Sequence, residues 1–147
     1  MRIWHYALLP FLPELQFKGQ LRELVAIMHD WRDKGKTNHL LINRVMDYPR
    51  TELMAYFNYY DFYWQERYKT SINEKYVRDF WKFCPESKTE FHLPIFEGWH
   101  DKNYLRICYS NLAEKHFYGV GKSRITDEEW QRLVDGYKQI TGEEYVI

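Results

Sequence analysis

Two residues near the start of the chain, Met1 and Glu23, carry the chemical groups that catalysis by an amine nucleophile requires. The chain opens Met1-Arg2-Ile3-Trp4-His5, and Arg2 is too large a second residue for removal of the initiator methionine, so we expect Met1 to be retained. Its α-amine has an ordinary pKa of about 7.7 to 8.0, against about 10.4 for lysine, so roughly a tenth is unprotonated at pH 7. A chain terminus can therefore act as a nucleophile without deep burial.

Glu23 is the carboxylate that could work with such an amine. An amine that attacks C1′ of a deoxyribose displaces the base and leaves an iminium, and loss of a 2′ proton then breaks the 3′ C–O bond. This chemistry needs a carboxylate to stabilise positive charge and to move protons. Glu23 lies off the apolar stripe of its predicted helix, although composition alone favours a merely solvated side chain there.

The spacing of apolar residues predicts five helices. Leu21, Leu24 and Met28 recur at three- and four-residue intervals within 15–31, which predicts a first helix that follows Pro13 and ends at Gly35. Further helices are predicted over 49–69, 71–83, 101–116 and from 126 to shortly before 142, with a loop over 84–100. Strand signals are sparse, so the predicted class is all-α: one compact domain over 1–147, of about five helices with long connecting loops.

Two of the predicted helices open with the spacing of a capping box. Ser71 stands three residues before Glu74, and Thr126 stands three residues before Glu129. In this arrangement the hydroxyl and the carboxylate satisfy backbone N–H groups of the first turn reciprocally. We therefore expect these helices to begin at Ser71 and at Thr126.

An aromatic run lies within the second predicted helix and allows two interpretations. The run consists of Tyr56, Phe57, Tyr59, Tyr60, Phe62, Tyr63 and Trp64. Such rings could stack on bases, but at helical spacing they more often fill a core. We expect most of them to be buried.

The bulk composition predicts a globular protein and limits its partners. Aromatic residues make up 19% of the 147 residues and charged residues 29%, which excludes a disordered chain. The net charge of zero argues against a nucleic-acid partner, but residues 1–50 carry eight Lys and Arg against five acidic residues. Any surface that binds phosphate should therefore be built mainly from the N-terminal third.

The cysteines and histidines predict neither a disulfide nor a metal site. Cys84 and Cys108 are far apart and occur without an apolar leader or membrane-spanning run, so we expect buried free thiols in a cytoplasmic protein that contacts no membrane. The six histidines include no HExxH and no paired spacing with cysteine. No metal or other cofactor is expected, and amine chemistry requires none.

The opening residues resemble a known family of repair enzymes. Met1-Arg2-Ile3-Trp4-His5-Tyr6, followed by Gly19-Gln20-Leu21-Arg22-Glu23, is similar to the pyrimidine-dimer DNA glycosylases of the phage endonuclease V type and their bacterial relatives. These are compact, mainly helical single domains that use an N-terminal α-amine as nucleophile and a glutamate of the first long helix as acid/base. The resemblance implies a glycosylase and abasic-site lyase that forms a Schiff base, with Met1 and Glu23 in those two roles.

The resemblance also implies residues that contact double-stranded DNA. Arg2 and Arg22 match family positions close to phosphates and the lesion, and Lys115 matches a basic position of a late family helix. His5 is a further candidate, which could orient the site or fill the edge of the core. Two other basic family positions are Ala26 and Asn111 in this chain.

Two other functions remain open at this point. The chain could be a non-catalytic DNA-binding module of the same fold, since two basic positions are missing, or a helical domain that binds another protein. The sequence leaves the lesion and the oligomeric state undetermined.

Overall fold

The protein is all-α, as predicted. A computed structural model describes residues 2–37 and 42–142, and no strand occurs within these two ranges. The described α-helices are α1 (Glu14–Lys34), α2 (Arg50–Tyr68), α3 (Glu74–Phe83), α4 (Lys102–Phe117) and α5 (Asp127–Thr141). Short 3-10 helices occur at Tyr6–Phe11, Ile42–Asp47, Pro85–Ser87 and Gly121–Ser123. The predicted loop over 84–100 is largely confirmed, apart from the 3-10 turn at its start.

Helix α1 carries the candidate carboxylate, and its limits follow from local chemistry. Pro13 precedes the first turn, and Gly35 ends the helix in the left-handed conformation (φ 69°), where its N–H donates to the carbonyl of Trp31. The buried side of the helix is apolar except for Gln20, which is fully buried. Glu23 lies beside this buried stripe at the edge of the core.

Helix α2 runs through the centre of the core. Its buried side chains include Tyr56, Phe57 and Tyr60, each no more than 1% exposed. The prediction that the aromatic run fills the core is therefore confirmed for these three rings. Of the other four, Tyr59, Tyr63 and Trp64 are only partly buried, and Phe62 is exposed. The hydroxyls of Tyr56 and Tyr60 both donate to backbone carbonyls outside the helix, which satisfies the two buried polar groups.

The two predicted capping boxes have different outcomes. Thr126 and Glu129 form the reciprocal box at the start of α5. The prediction for Ser71 is wrong: α3 begins at Glu74, and the side chain of Asn73 caps it by accepting the N–H of Lys75. Asparagine and serine are equally good N-cap residues. In this chain the helix begins after the later of the two, Asn73.

The chain start leads into a 3-10 helix that packs on α2 and α5. The guanidinium groups of Arg67 and Arg132 donate to carbonyls within residues 9–12 and fix this segment to both helices. One continuous hydrophobic core extends from Ile3 to Tyr137. The packing therefore buries Ile3, Trp4 and His5 within the fold, next to the buried side of α1.

Two smaller features complete the fold. Cys84 and Cys108 are both buried and free, as predicted. None of the described helices is long and apolar enough to cross a membrane.

Candidate active site

The beginning of the chain lies against Glu23. The backbone N–H of Arg2 donates to Oε2 of Glu23 at 3.1 Å. Met1, the predicted nucleophile, lies outside the described residues. The structure thus brings the second residue and the predicted carboxylate into direct contact, although 21 positions separate them in the sequence.

The surroundings of Glu23 raise its pKa above the ordinary value. Burial raises the pKa of Glu23, while the hydrogen bond from the Arg2 N–H and the charges of Arg22 and Arg2 act in the opposite direction. The side chain is only half-buried, so a substrate can reach it. A carboxyl group whose pKa is raised toward neutrality is suited to donating and accepting protons.

Gln20 connects the chain start to Glu23. Its Nε2 donates to the carbonyl of Arg2 at 2.9 Å and to Oε2 of Glu23 at 3.2 Å. Its Oε1 accepts the N–H of Trp4 at 2.9 Å. One buried amide therefore bonds to two backbone groups of the first segment and to the predicted carboxylate.

Two tyrosines hold the remaining carbonyls of this segment. The hydroxyl of Tyr56 on α2 donates to the carbonyl of Trp4, and that of Tyr104 on α4 donates to the carbonyl of Ile3, both at 2.6 Å. Residues 2–4 are thus fixed by side chains from three helices. A segment bonded at successive backbone groups has little freedom to move relative to Glu23.

His5 and His100 form a buried pair behind the segment. Nδ1 of His5 accepts the N–H of Ala7, and its Nε2 lies 3.0 Å from the carbonyl of His100, while Nδ1 of His100 accepts the N–H of Tyr6. Burial lowers the pKa of His5 to about 4 and also lowers the pKa of His100 well below its ordinary value, so both rings are neutral at pH 7. His5 is only 4% exposed. This burial points to a structural role for His5 rather than to the predicted DNA contact.

Arg2 and Arg22 both lie near Glu23, and the charge of each acts to lower its pKa. The Arg2 guanidinium stands 5.6 Å from the centre of the Trp4 ring, and Arg2 lines a cleft of about 360 Å³ together with Trp99, Asn103 and Tyr104. Arg22 precedes Glu23 on α1 and is exposed. Both cations are therefore close to the predicted carboxylate, with Arg22 exposed and Arg2 partly buried.

Lys115 is exposed near the end of α4, in a different depression that also includes Asn111 and Tyr118. Eleven residues separate Lys115 from Tyr104 on the same helix, which corresponds to about 16 Å along its axis. The structure therefore does not bring Lys115 into the contact between Arg2 and Glu23. A partner longer than this distance could contact both Lys115 and the region of Arg2 and Glu23.

Sequence reasoning missed Gln20, Tyr56, Tyr104 and His100 as parts of this site. Gln20 had a detectable signal, because it is a polar residue in the buried stripe of α1, three positions after Phe17 and four before Leu24. A polar side chain at such a position must find buried partners. The other three gave no signal of their roles, since their partners lie far away in the sequence.

The described residues contain no group of three or more His, Cys, Asp or Glu side chains arranged to hold a metal ion. The titratable groups next to Glu23 are arginines, whose guanidinium groups repel cations.

A comparison with protein families identifies the class to which this arrangement belongs. A model described as pyrimidine dimer DNA glycosylase matches residues 1–75, which is half of the chain and includes both Arg2 and Glu23. The chain belongs to the pyrimidine dimer DNA glycosylase family. Searches of curated proteins and of solved structures found no match.

Proposed function

We propose that the protein removes pyrimidine dimers from double-stranded DNA as a glycosylase and then cleaves the strand as an abasic-site lyase. The α-amine of Met1 is the nucleophile and Glu23 is the acid/base. The observation that carries the proposal is the hydrogen bond from the Arg2 N–H to Glu23, in a chain of the pyrimidine dimer DNA glycosylase family.

Covalent geometry supports the role of Met1. The α-amine of a first residue is three bonds from the backbone nitrogen of the second, so these two nitrogens are within about 4 Å of each other. Since the Arg2 nitrogen is 3.1 Å from Oε2 of Glu23, an amine on Met1 is within about 7 Å of that oxygen in any conformation. Two groups no farther apart than this can both contact one deoxyribose.

The reaction then proceeds through a Schiff base. The amine nitrogen forms a bond to C1′ as the glycosidic bond breaks, and the base leaves with the electron pair and gains a proton. The attached nitrogen then loses one proton, and its lone pair opens the sugar ring by breaking the C1′–O4′ bond. O4′ leaves with the electron pair of that bond and gains a proton, which gives the iminium. Removal of a 2′ proton moves electrons toward the iminium and expels the 3′ phosphate, and water finally releases the amine. The Glu23 carboxylate stabilises the cationic intermediates and transfers the protons.

The DNA is held by cations near the site. Arg2 and Arg22, both close to Glu23, contact phosphates near the lesion, and Lys115 contacts the backbone farther along. Since C1′ cannot be reached by a protein amine in an undisturbed duplex, binding must bend the DNA or extrude a nucleotide. The cleft beside Arg2, at about 360 Å³, offers space for a displaced group.

Borohydride trapping tests the proposal directly. Reduction of the iminium should join the protein covalently to dimer-containing and abasic duplexes, and a tag fused ahead of Met1 should abolish the adduct. Peptide mass analysis should place the modification on the Met1 amine. If the untagged protein forms no adduct with either duplex, or forms it equally well when tagged, the assignment of the amine is wrong.

A non-catalytic DNA-binding module is the second candidate, favoured by the neutral net charge and by Ala26 and Asn111 at basic family positions. Glu23→Gln separates the two functions. The enzyme should keep its DNA affinity and lose strand cleavage by about 10²- to 10⁴-fold, the usual effect of removing an acid/base group. Glu66→Gln, at an exposed position on α2, is the control and should cleave normally.

A further inference from the structure

The buried amide of Gln20 has a single possible orientation. Its oxygen faces the N–H of Trp4, and its nitrogen faces two acceptors, the carbonyl of Arg2 and Oε2 of Glu23. A flip would place a donor against a donor and the amide oxygen against two acceptors. Both amide hydrogens and the oxygen are therefore used, and the side chain is 0% exposed.

Tyr56 reinforces this orientation from α2. Its hydroxyl shares one hydrogen between two acceptors, the carbonyl of Trp4 at 2.6 Å and Oε1 of Gln20 at 3.1 Å. Tyr56 thus donates both to the N-terminal segment and to the Gln20 oxygen that accepts the N–H of Trp4. Complete burial raises the pKa of Tyr56 well above its ordinary value, so it remains a neutral hydroxyl and a donor. Gln20 and Tyr56 form one buried hydrogen-bonded unit.

We propose that Gln20, oriented by Tyr56, is a positioning residue of the glycosylase reaction that fixes the chain start relative to Glu23. This inference rests on the proposed function. The same amide bonds to the backbone next to the nucleophile and to the acid/base, so the position of each group depends on the other. Displacement of a reacting group by about 1 Å can cost on the order of 100-fold in rate.

Gln20 also acts on the charge of Glu23. Its N–H donates to the carboxylate and therefore stabilises the ionised form. Loss of this donor raises the pH at which Glu23 becomes ionised. A residue with only a structural role would change the stability of the protein and leave the pH dependence of the reaction unchanged.

The test compares three variants by single-turnover cleavage of an abasic duplex between about pH 5 and pH 9. Gln20→Met keeps the volume and removes every hydrogen bond, so we expect a rate loss of roughly 10- to 100-fold and an acid limb shifted to higher pH. Tyr56→Phe should lower the rate by roughly 10-fold, because the chain start loses one anchor.

Tyr60→Phe is the matched control. Tyr60 lies one turn after Tyr56 on α2, is equally buried and donates to the carbonyl of Phe17 at 2.7 Å, away from the chain start. The Tyr60→Phe variant should lose as much stability as Tyr56→Phe and should retain the wild-type cleavage rate. If Gln20→Met fails to fold, the comparison of the two tyrosine variants decides the question.

Two results would overturn the inference: a wild-type rate and pH profile for Gln20→Met, or equal rates for Tyr56→Phe and Tyr60→Phe. Both presuppose that the wild-type protein is active. If the wild-type protein forms no borohydride adduct, the proposed function itself is refuted. If wild type and variants are equally active, only the positioning role of Gln20 is refuted.

Discussion

Replacement of Gly136 by alanine tests the contact between α5 and the 3-10 helix that follows the chain start. A methyl group on Gly136 would lie 2.4 Å from Cγ of Phe11 and 2.6 and 2.7 Å from its two Cδ atoms. Carbon atoms in favourable contact are about 3.5 to 4.0 Å apart. Since the position of Cβ is set by the backbone, the Phe11 ring and its segment would have to move.

The size of the effect follows from two opposing contributions. Alanine is favoured over glycine inside a helix by about 1 kcal/mol. Insertion of a methyl group into a packed contact costs about 1 to 3 kcal/mol, and Phe11 cannot withdraw freely because the Pro10 carbonyl is bonded to Arg132. We expect Gly136→Ala to lose up to about 2 kcal/mol of unfolding free energy, which lowers the Tm by up to roughly 8 °C.

Gly19 of α1 provides the matched control, because the nearest atom to its added Cβ is Nη2 of Arg22 at 4.0 Å. Gly19→Ala should therefore gain up to about 1 kcal/mol from helix propensity alone. Urea unfolding monitored by tryptophan fluorescence gives both values, with unchanged m-values showing that the folded state is retained. If Gly136→Ala were as stable as Gly19→Ala, the described packing of Phe11 on α5 would be incorrect.

Three further predictions concern charge. Because burial raises the pKa of Glu23, the ionised form of this residue is destabilised in the folded state. Glu23→Gln should therefore raise the Tm at pH 7, and this gain should disappear below about pH 4, where the wild-type carboxyl group is protonated. An equal gain in Tm at both pH values would contradict this prediction. Burial lowers the pKa of His5 from 6.5 to about 4, so the unfolded chain binds more protons in that interval. Unfolding free energy should fall by about 3 kcal/mol from this residue as the pH drops from about 6.5 to about 4, and His5→Asn should flatten the slope in urea unfolding. Lys115→Ala should reduce, by about 0.9, the slope of the logarithm of the duplex-binding constant against the logarithm of the salt concentration. Lys75→Ala is the control and should leave this slope unchanged. If both variants have the same slope, Lys115 does not contact the DNA.

Helix positions were predictable because their signals are local. The stripe from Leu21 to Met28 and the glycine at position 35 locate α1 without reference to the rest of the chain, and Thr126 and Glu129 locate the start of α5. The error at Ser71 has the same origin, since Asn73 supplies an equally good cap two residues later and local preferences cannot choose between them.

The resemblance of the first residues and of 19–23 also suggested Met1 and Glu23 from the sequence. Local patterns link residues three or four positions apart on a helix, and they carry no information on which helices meet. The contacts of Arg2 with Glu23, of Ile3 with Tyr104 and of Trp4 with Tyr56 join three helices to the chain start. The packing of the whole core decides these contacts, and only the tertiary structure revealed that a buried glutamine and two tyrosines hold the predicted site together.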